Sequence, residues 1–232
     1  MENNKVLILD DEDSIRQFMK INLEYQGYQT VEAATGEEAL KIFEEKNPAV
    51  AILDVMLPGI SGFDVCQAIR EKSPRTGIIM VSAKSQDIDK ILGLERGADD
   101  YIIKPFNPQE LILRVRSLMR RVNLTTAETE SKSTKTLSDG PFTLDLYSKT
   151  FYKNQDEIDV TPTEFTILKN FIQNKGKAMT RDEIMEETWG ENYSNDTKIV
   201  DVNIRRIRAK IEQDPAKPQF IETVWGTGYR WK

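Results

Sequence analysis

Val6-Leu7-Ile8-Leu9-Asp10-Asp11-Glu12 decides the fold of the first half of this chain. A short apolar run ends abruptly on two carboxylates, and the arrangement recurs downstream. Asp54 follows Val50-Ala51-Ile52-Leu53, Ser82 follows Ile78-Ile79-Met80-Val81, and Lys104 follows Tyr101-Ile102-Ile103 and precedes Pro105. Short apolar runs separated by amphipathic stretches read as buried parallel strands alternating with helices. In such sheets ligands bind beyond the carboxyl ends of the strands. Three carboxylates, a hydroxyl and an ammonium therefore converge on one edge.

Clustered carboxylates repel one another, and a hard cation resolves the repulsion. Mg²⁺ takes oxygen ligands, keeps several waters and bridges to phosphate. A lysine adds a compact positive charge and a serine a hydrogen-bond donor for phosphoryl oxygens. Asp54 stands alone at its strand end, so it is the candidate carboxylate nucleophile for an aspartyl phosphate. The chain has no histidine, which excludes Ser-His catalysis and His-ligated zinc. Asp13 and Ser14 read instead as the cap of the following helix.

The expected strands are 5–9, 28–33, 49–53, 77–81 and 100–103, and the expected helices 13–26, 36–46, 62–72, 85–96 and 108–121, a five-strand doubly wound parallel sheet. From 122 to 138 the composition turns to Thr, Glu, Ser and Lys, which predicts a flexible linker. After it the order reverses. Strands are expected at 141–146, 149–153 and 156–160, helices at 162–174, 181–188 and 196–213, and a closing hairpin at 219–224 and 228–231 turned by Gly226-Thr227-Gly228. The domains are thus 1–121, a linker 122–138, and 139–232.

The 232 residues suit two domains, and 39% hydrophobic content is ordinary for a globular chain. The single cysteine, Cys66, is placed in the core of the 62–72 helix and fits a reducing compartment. No apolar stretch reaches the ~18 residues of a membrane span, and a cytoplasmic location is expected. The net charge of −6 argues against a general nucleic-acid coat. Any DNA contact must rest on a local patch, and the 196–213 helix supplies one. On a helical wheel with Val200 at zero, Ile204, Ile207 and Ile211 fall within about 40° and form the core stripe. Val202 and Ala209 lie opposite. Between 198 and 210, Lys198, Arg205, Arg206, Arg208 and Lys210 outnumber the one acid, Asp201.

The motifs Leu9-Asp10-Asp11-Glu12, Leu53-Asp54-Val55-Met56-Leu57-Pro58-Gly59, Ser82-Ala83-Lys84 and Gly97-Ala98-Asp99-Asp100-Tyr101-Ile102-Ile103-Lys104-Pro105-Phe106 resemble those of two-component response-regulator receivers. The resemblance implies that Asp54 accepts phosphate from a sensor histidine kinase. It implies that Asp11, Asp54 and the Met56 backbone carbonyl hold Mg²⁺ with Asp10 assisting, that Lys104 and Ser82 bind phosphoryl oxygens, and that Ser82 and Tyr101 form a switch. Serine stands where threonine is common. The family also carries a cis bond before the proline that follows its lysine, here Lys104-Pro105.

Thr161-Pro162-Thr163-Glu164-Phe165, Val200-Asp201-Val202-Asn203-Ile204-Arg205-Arg206-Ile207-Arg208 and Thr223-Val224-Trp225-Gly226-Thr227-Gly228-Tyr229-Arg230 resemble the winged helix-turn-helix effector of OmpR/PhoB-type regulators, an α+β domain. By position, Asp201, Val202 and Arg206 would face bases, and Lys198, Asn203, Arg205, Arg208 and Tyr229 phosphate or sugar, on direct repeats of double-stranded promoter DNA. Trp225 stands where some members insert an arginine into the minor groove, so that contact is expected to be missing. The 189–195 loop matches a segment that touches RNA polymerase. Phosphorylation would pair two receivers into a homodimer through Lys90, Ile91, Leu94, Asp99, Asp100, Glu110, Leu113, Arg114 and Arg121, with Lys90–Glu110, Asp100–Arg114 and Asp99–Arg121 as cross-chain pairs. No enzyme activity is expected. A haloacid-dehalogenase-like phosphohydrolase would also use an Asp after its first strand, but Glu12 replaces its second Asp and the basic-helix half would go unexplained.

Overall fold

The computed structural model describes residues 3–83, 87–123, 136–191, 193 and 197–232, with side chains at all of these except 87–90. It forms two compact units, Met1–Asn123 and Leu124–Lys232.

In the first unit, strands β1 (Lys5–Leu9), β2 (Gln29–Ala33), β3 (Val50–Asp54), β4 (Gly77–Ser82) and β5 (Asp100–Ile103) alternate with helices α1 (Asp13–Tyr25), α2 (Gly36–Lys46), α3 (Gly62–Lys72), α4 (Asp87–Glu95) and α5 (Pro108–Asn123). All strands are parallel, in the order β2-β1-β3-β4-β5. Strands β3 and β4 are buried throughout, because helices cover both faces; this is why they read as unbroken apolar runs rather than alternating ones. The order reverses between β1 and β3, where Leu9 pairs with Leu53. That is the switch point at which open α/β sheets bind ligands, and it sets Asp10 beside Asp54.

Helix α1 begins at Asp13 as expected, but its cap is Glu12, whose side chain makes no capping bond. Helices α2 and α3 are capped by Thr35 and Ser61, the latter in a reciprocal box with Asp64. Cys66 is fully buried on α3. The peptide before Pro105 is cis. Gly62 opens α3 so close to β3 that a Cβ there would lie 1.9 Å from the Asp54 carbonyl oxygen. Gly62→Ala should therefore force α3 off the strand end, at a cost on the order of 1–3 kcal/mol, and disturb the Asp54 loop with it. Thermal melting checks this; an unchanged melting temperature would show that α3 can withdraw freely.

In the second unit, β6 (Thr136–Asp139), β7 (Phe142–Asp145), β8 (Thr150–Lys153) and β9 (Asp156–Ile158) form an antiparallel sheet in chain order. Helices α6 (Pro162–Gln173), α7 (Arg181–Trp189) and α8 (Lys198–Ile211) follow, with β10 (Ala178–Thr180) between α6 and α7. The closing strands β11 (Ile221–Val224) and β12 (Gly228–Trp231) pair, and β10 joins β12 to make a three-stranded sheet. Phe142, Phe151, Phe220 and Trp231 pack into an aromatic core, with Phe142 edge-on to Phe220 at 4.6 Å and to Trp231 at 5.3 Å. Both α6 and α7 start with a reciprocal Thr–Glu capping box, Thr161–Glu164 and Thr180–Glu183.

Two corrections concern the segment expected as a linker. Residues 122–123 belong to α5, and 136–138 belong to β6. The rest of that stretch, 124–135, lies outside the described residues. The strand β6 pairs with β7 through Leu137 and Leu144.

Candidate functional site: an acidic pocket and a helix–wing frame

At the switch point, Asp10 directly follows β1 and Asp54 ends β3; both carboxylates are buried, while Asp11 is exposed. The Lys104 ammonium, after β5, lies 2.6 Å from Asp54 Oδ2 and 2.7 Å from Asp10 Oδ2, with Glu12 Oε1 at 3.9 Å. The second oxygen of each buried aspartate accepts a backbone amide: Glu12 N–H donates to Asp10 Oδ1 and Met56 N–H to Asp54 Oδ1, both at 3.0 Å. Burial pushes the Asp10 carboxyl up, Lys104 opposes that shift, and the negative Asp54 reinforces it. Burial disfavours the Lys104 charge, but hydrogen bonds to Asp10 and Asp54 outweigh it and hold its pKa above the ordinary value. One carboxylate oxygen from each of Asp10, Asp11 and Asp54 lies within 4.8 Å of the others, a group able to hold a metal ion. Ser82 is buried at the end of β4, and its carbonyl accepts the Lys104 N–H at 2.8 Å. Tyr101 is buried on β5 opposite Met80 of β4.

In the second unit, α8 and the β11–β12 hairpin are locked together. Arg208 Nε and Nη2 donate to the Ile221 carbonyl at 3.0 and 2.7 Å, and Nη2 also donates to Thr223 Oγ1 at 3.0 Å. The Tyr229 hydroxyl of β12 donates to Asp201 Oδ1 of α8 at 2.8 Å. Arg181, at the start of α7, donates to the same oxygen at 2.7 Å, and its guanidinium lies 5.1 Å from the centre of the Tyr229 ring. Three elements thus meet on one carboxylate oxygen.

The family model for the response regulator receiver domain matches residues 6–116, and that for the C-terminal domain of transcriptional regulatory proteins matches 155–231. A relative from Porphyridium aerugineum, described as the probable transcriptional regulator ycf27, is 42% identical over 231 residues, covering 99% of this chain and 96% of its own. The chain belongs to the OmpR/PhoB-type response regulators. The alkaline phosphatase synthesis transcriptional regulatory protein PhoP of Bacillus subtilis is 40% identical over 233 residues, covering 98% of this chain and 96% of its own. The crystal structure of the response regulator DrrB, an OmpR/PhoB homologue of Thermotoga maritima, is 33% identical with a TM-score of 0.52 and covers 98% of each chain. The regulator thus joins a five-strand receiver to a winged-helix DNA-binding domain. Among its described residues no helix is long and apolar enough to cross a membrane.

The structure rotates the regulator's α8 relative to the sequence wheel. Lys198, Arg205 and Ala209 are exposed, with Asp201 half-buried beside them. Val202 and Asn203 are buried, and Asn203 Nδ2 donates to the Ile199 carbonyl. Arg206 does not point outward: its Nη2 lies 2.9 Å from Glu164 Oε1, and its side chain is 12% exposed. Lys210 takes the other oxygen, Oε2, at 2.6 Å. The cause is Glu164, which is fully buried on α6. A buried carboxylate must be paired, and it draws two of the helix's cations inward. Burial alone would raise the Glu164 pKa, but Arg206 and Lys210 hold it below the ordinary carboxylate value.

Several residues of the expected cross-chain pairs also have partners within the single chain. Asp100 and Arg114 are both buried and pair within the chain at 3.1 Å, and Arg114 takes Glu110 at 2.8 Å. Asp99 is buried and bound by Arg70 and by the Ile78 N–H. Arg121 and Leu94 are buried. Ile91 is half-buried and Leu113 is 40% exposed. The Lys90 side chain, Lys84, and residues 192, 194 and 195 of the expected polymerase loop lie outside the described residues. Arg181 escaped the sequence reading. Its signal was a cation in the first turn of a helix, where the dipole disfavours one.

Proposed function

We propose that phosphorylation of Asp54 by a sensor histidine kinase switches this regulator to its promoter-binding form. The observation that carries the reading is the Lys104 ammonium held between Asp10 and Asp54, with Asp11 alongside. An Asp54 carboxylate oxygen attacks the phosphorus of a phosphohistidine. A P–O bond forms, the P–N bond breaks, and the imidazole leaves with the bonding pair and takes a proton from water. Lys104 and the Ser82 hydroxyl receive the phosphoryl oxygens, and Ser82 with Tyr101 relays the change along β4 and β5. The carboxylates exceed the Lys104 charge by two, and every donor is oxygen; this set fits Mg²⁺. Asp11, Asp54 and the Met56 backbone carbonyl would hold it, with Asp10 acting through water. When bound, the ion offsets charge on the phosphoryl group in transfer.

The α4–β5–α5 face pairs two receivers. With Asp100, Arg114 and Glu110 matched inside each chain, its core is apolar, centred on Leu113 and Ile91. Leu113→Asp should leave the phosphorylated protein monomeric in sedimentation while its melting temperature stays unchanged; a persisting dimer would remove this face. Pairing raises the effective concentration of two effectors on one promoter. Lys198, Arg205, Asp201, Arg208 and Tyr229 are the residues proposed to approach DNA. The proposed site is two direct repeats about one helical turn apart, read in the cytoplasm, with RNA polymerase engaged through 189–195. Phosphoramidate with Mg²⁺ should raise affinity for such DNA in the wild type. No gain would refute the reading.

A further inference from the structure

Arg16 stands in the first turn of α1, where the helix dipole disfavours a cation. Its guanidinium turns back onto the β1–α1 loop. Nη1 donates to the Asp10 carbonyl at 2.8 Å and to the Asp11 carbonyl at 3.1 Å, and Nη2 donates to Asp13 Oδ1 at 2.9 Å. The side chain is 14% exposed. Glu12, the cap of the helix, makes no side-chain capping bond. The side-chain link from the helix to the loop is made by Arg16 instead.

The two carbonyls belong to residues whose carboxylates line the acidic pocket. The peptide unit between Asp11 and Glu12 is held at both ends, its carbonyl by Arg16 and its N–H by Asp10 Oδ1 at 3.0 Å. The unit between Asp10 and Asp11 is held at its carbonyl by the same guanidinium nitrogen. The backbone on either side of the Asp11 Cα is thereby fixed. This matters most for Asp11, because its exposed carboxylate makes no hydrogen bond or ion pair of its own among the described residues. Its direction is inherited from the backbone, whereas Asp10 has Lys104 and the Glu12 N–H to hold it. The three carboxylates of the pocket also repel one another. Asp54 is rooted in β3, so that repulsion falls on the loop carrying the other two.

We propose that Arg16 is a positioning residue for the cation site: its planar fork spans the Asp10 and Asp11 carbonyls and sets the direction in which the Asp11 carboxylate meets Mg²⁺. This rests on the reading of the pocket as a Mg²⁺ and phosphoryl site. Mg²⁺ demands near-ideal octahedral geometry, and losing a partner that orients a ligand costs a metal site about ten- to a hundredfold in affinity. Bonds from a charged donor are stronger than neutral ones, and a guanidinium presents them in a fixed plane that an ammonium lacks. A residue acting in this way changes how much Mg²⁺ the pocket needs and leaves the transfer rate of the filled pocket alone.

The test follows phosphorylation of the full-length protein by phosphoramidate over a Mg²⁺ series. Arg16→Ala should raise the Mg²⁺ concentration for half-maximal rate by about tenfold or more, while the rate at saturating Mg²⁺ stays close to that of the wild type. Arg16→Lys, which keeps the charge but not the fork, should lie between the two. Without a phosphoryl donor, Mg²⁺ raises the melting temperature of the receiver by mass action. The concentration at which it begins to do so should rise by the same factor in Arg16→Ala. A residue that only holds the fold together would lower melting at every Mg²⁺ concentration and leave both Mg²⁺ requirements where they were. Unchanged requirements in Arg16→Ala therefore overturn the inference. So does a loss confined to the saturating rate, which would place Arg16 on the phosphoryl donor. Should Arg16→Ala fail to fold, Arg16→Lys carries the test, and wild-type Mg²⁺ requirements in that variant overturn the inference. A wild type that takes up no phosphate and shows no Mg²⁺-dependent melting would instead overturn the parent reading of the pocket.

Discussion

Asp54→Asn should abolish phosphoryl uptake. Wild-type protein given acetyl phosphate and Mg²⁺ should gain one species heavier by about 80 Da, the mass of one phosphoryl group, and the variant should gain none. The amide is nearly isosteric and keeps the Met56 N–H bond at Oδ1, so the fold should survive. What it loses is the nucleophilic charge and the carboxylate at Lys104, 2.6 Å away. Asp10 and Asp11 lie within reach of the same site and serve as internal controls. A labelled Asp54→Asn protein would move the phosphoacceptor to one of them. Lys104→Ala probes a different step. It removes the counter-charge of two buried carboxylates and should slow labelling without moving its position.

The second large effect falls where no ligand binds. Arg206→Ala leaves the buried Glu164 carboxylate with Lys210 and the Thr161 N–H. Breaking a buried pair from one side costs about 3–5 kcal/mol. For a domain of this size that lowers the melting temperature by on the order of 10 °C or more. Glu164→Gln should cost less, because Lys210 and, to a smaller degree, Arg206 keep access to water, while the amide oxygen can still accept the Thr161 N–H that Glu164 Oε2 now takes at 2.9 Å. The sign with pH follows from the depressed pKa of Glu164. Its contribution is fully present above the unfolded glutamate value of about 4.3 and is lost as pH falls through the lower folded value. The stability gap between wild type and Glu164→Gln should therefore close in acid. Should Arg206→Ala melt like the wild type and lose only sequence preference, Arg206 would face a base and the inward placement would be wrong.

The receiver was legible because its chemistry sits at strand ends. A buried parallel strand has no room for an unpaired charge, so the first polar residue after Val6–Leu9 or Val50–Leu53 marks both the strand's end and the ligand edge. What escaped depends on partners distant in sequence. The strand β6 carries a threonine, a serine and an aspartate and reads like its polar neighbours; only Leu144 on the next strand makes Leu137 a sheet residue. At three residues, β10 has no period to detect and exists by pairing Met179 with Tyr229. The α8 wheel found Val200, Ile204, Ile207 and Ile211, all buried, yet missed the second buried flank. That flank mixes Ile199 and Val202 with Asn203, Arg206 and Lys210, and its two cations are held by Glu164 from another helix, which no hydrophobic period records. The same holds within the receiver: Asp99, Asp100 and Arg114 are charged and so read as surface, but each has a partner within its own unit.

The meeting of Arg181, Asp201 and Tyr229 on one oxygen bears on how such a regulator could be retargeted. Asp201 belongs to α8, Arg181 to α7 and Tyr229 to the hairpin. Grafting a foreign α8 that lacks an acid at 201 would strand a guanidinium and a phenol together, and the hairpin would lose its angle to the helix. New operators are then reached by exchanging these three positions as a set, with Arg208 and Thr223 beside them, rather than by rewriting one helix. Divergence of promoter choice along this lineage should leave a trace of joint substitution across three segments that lie far apart in the chain.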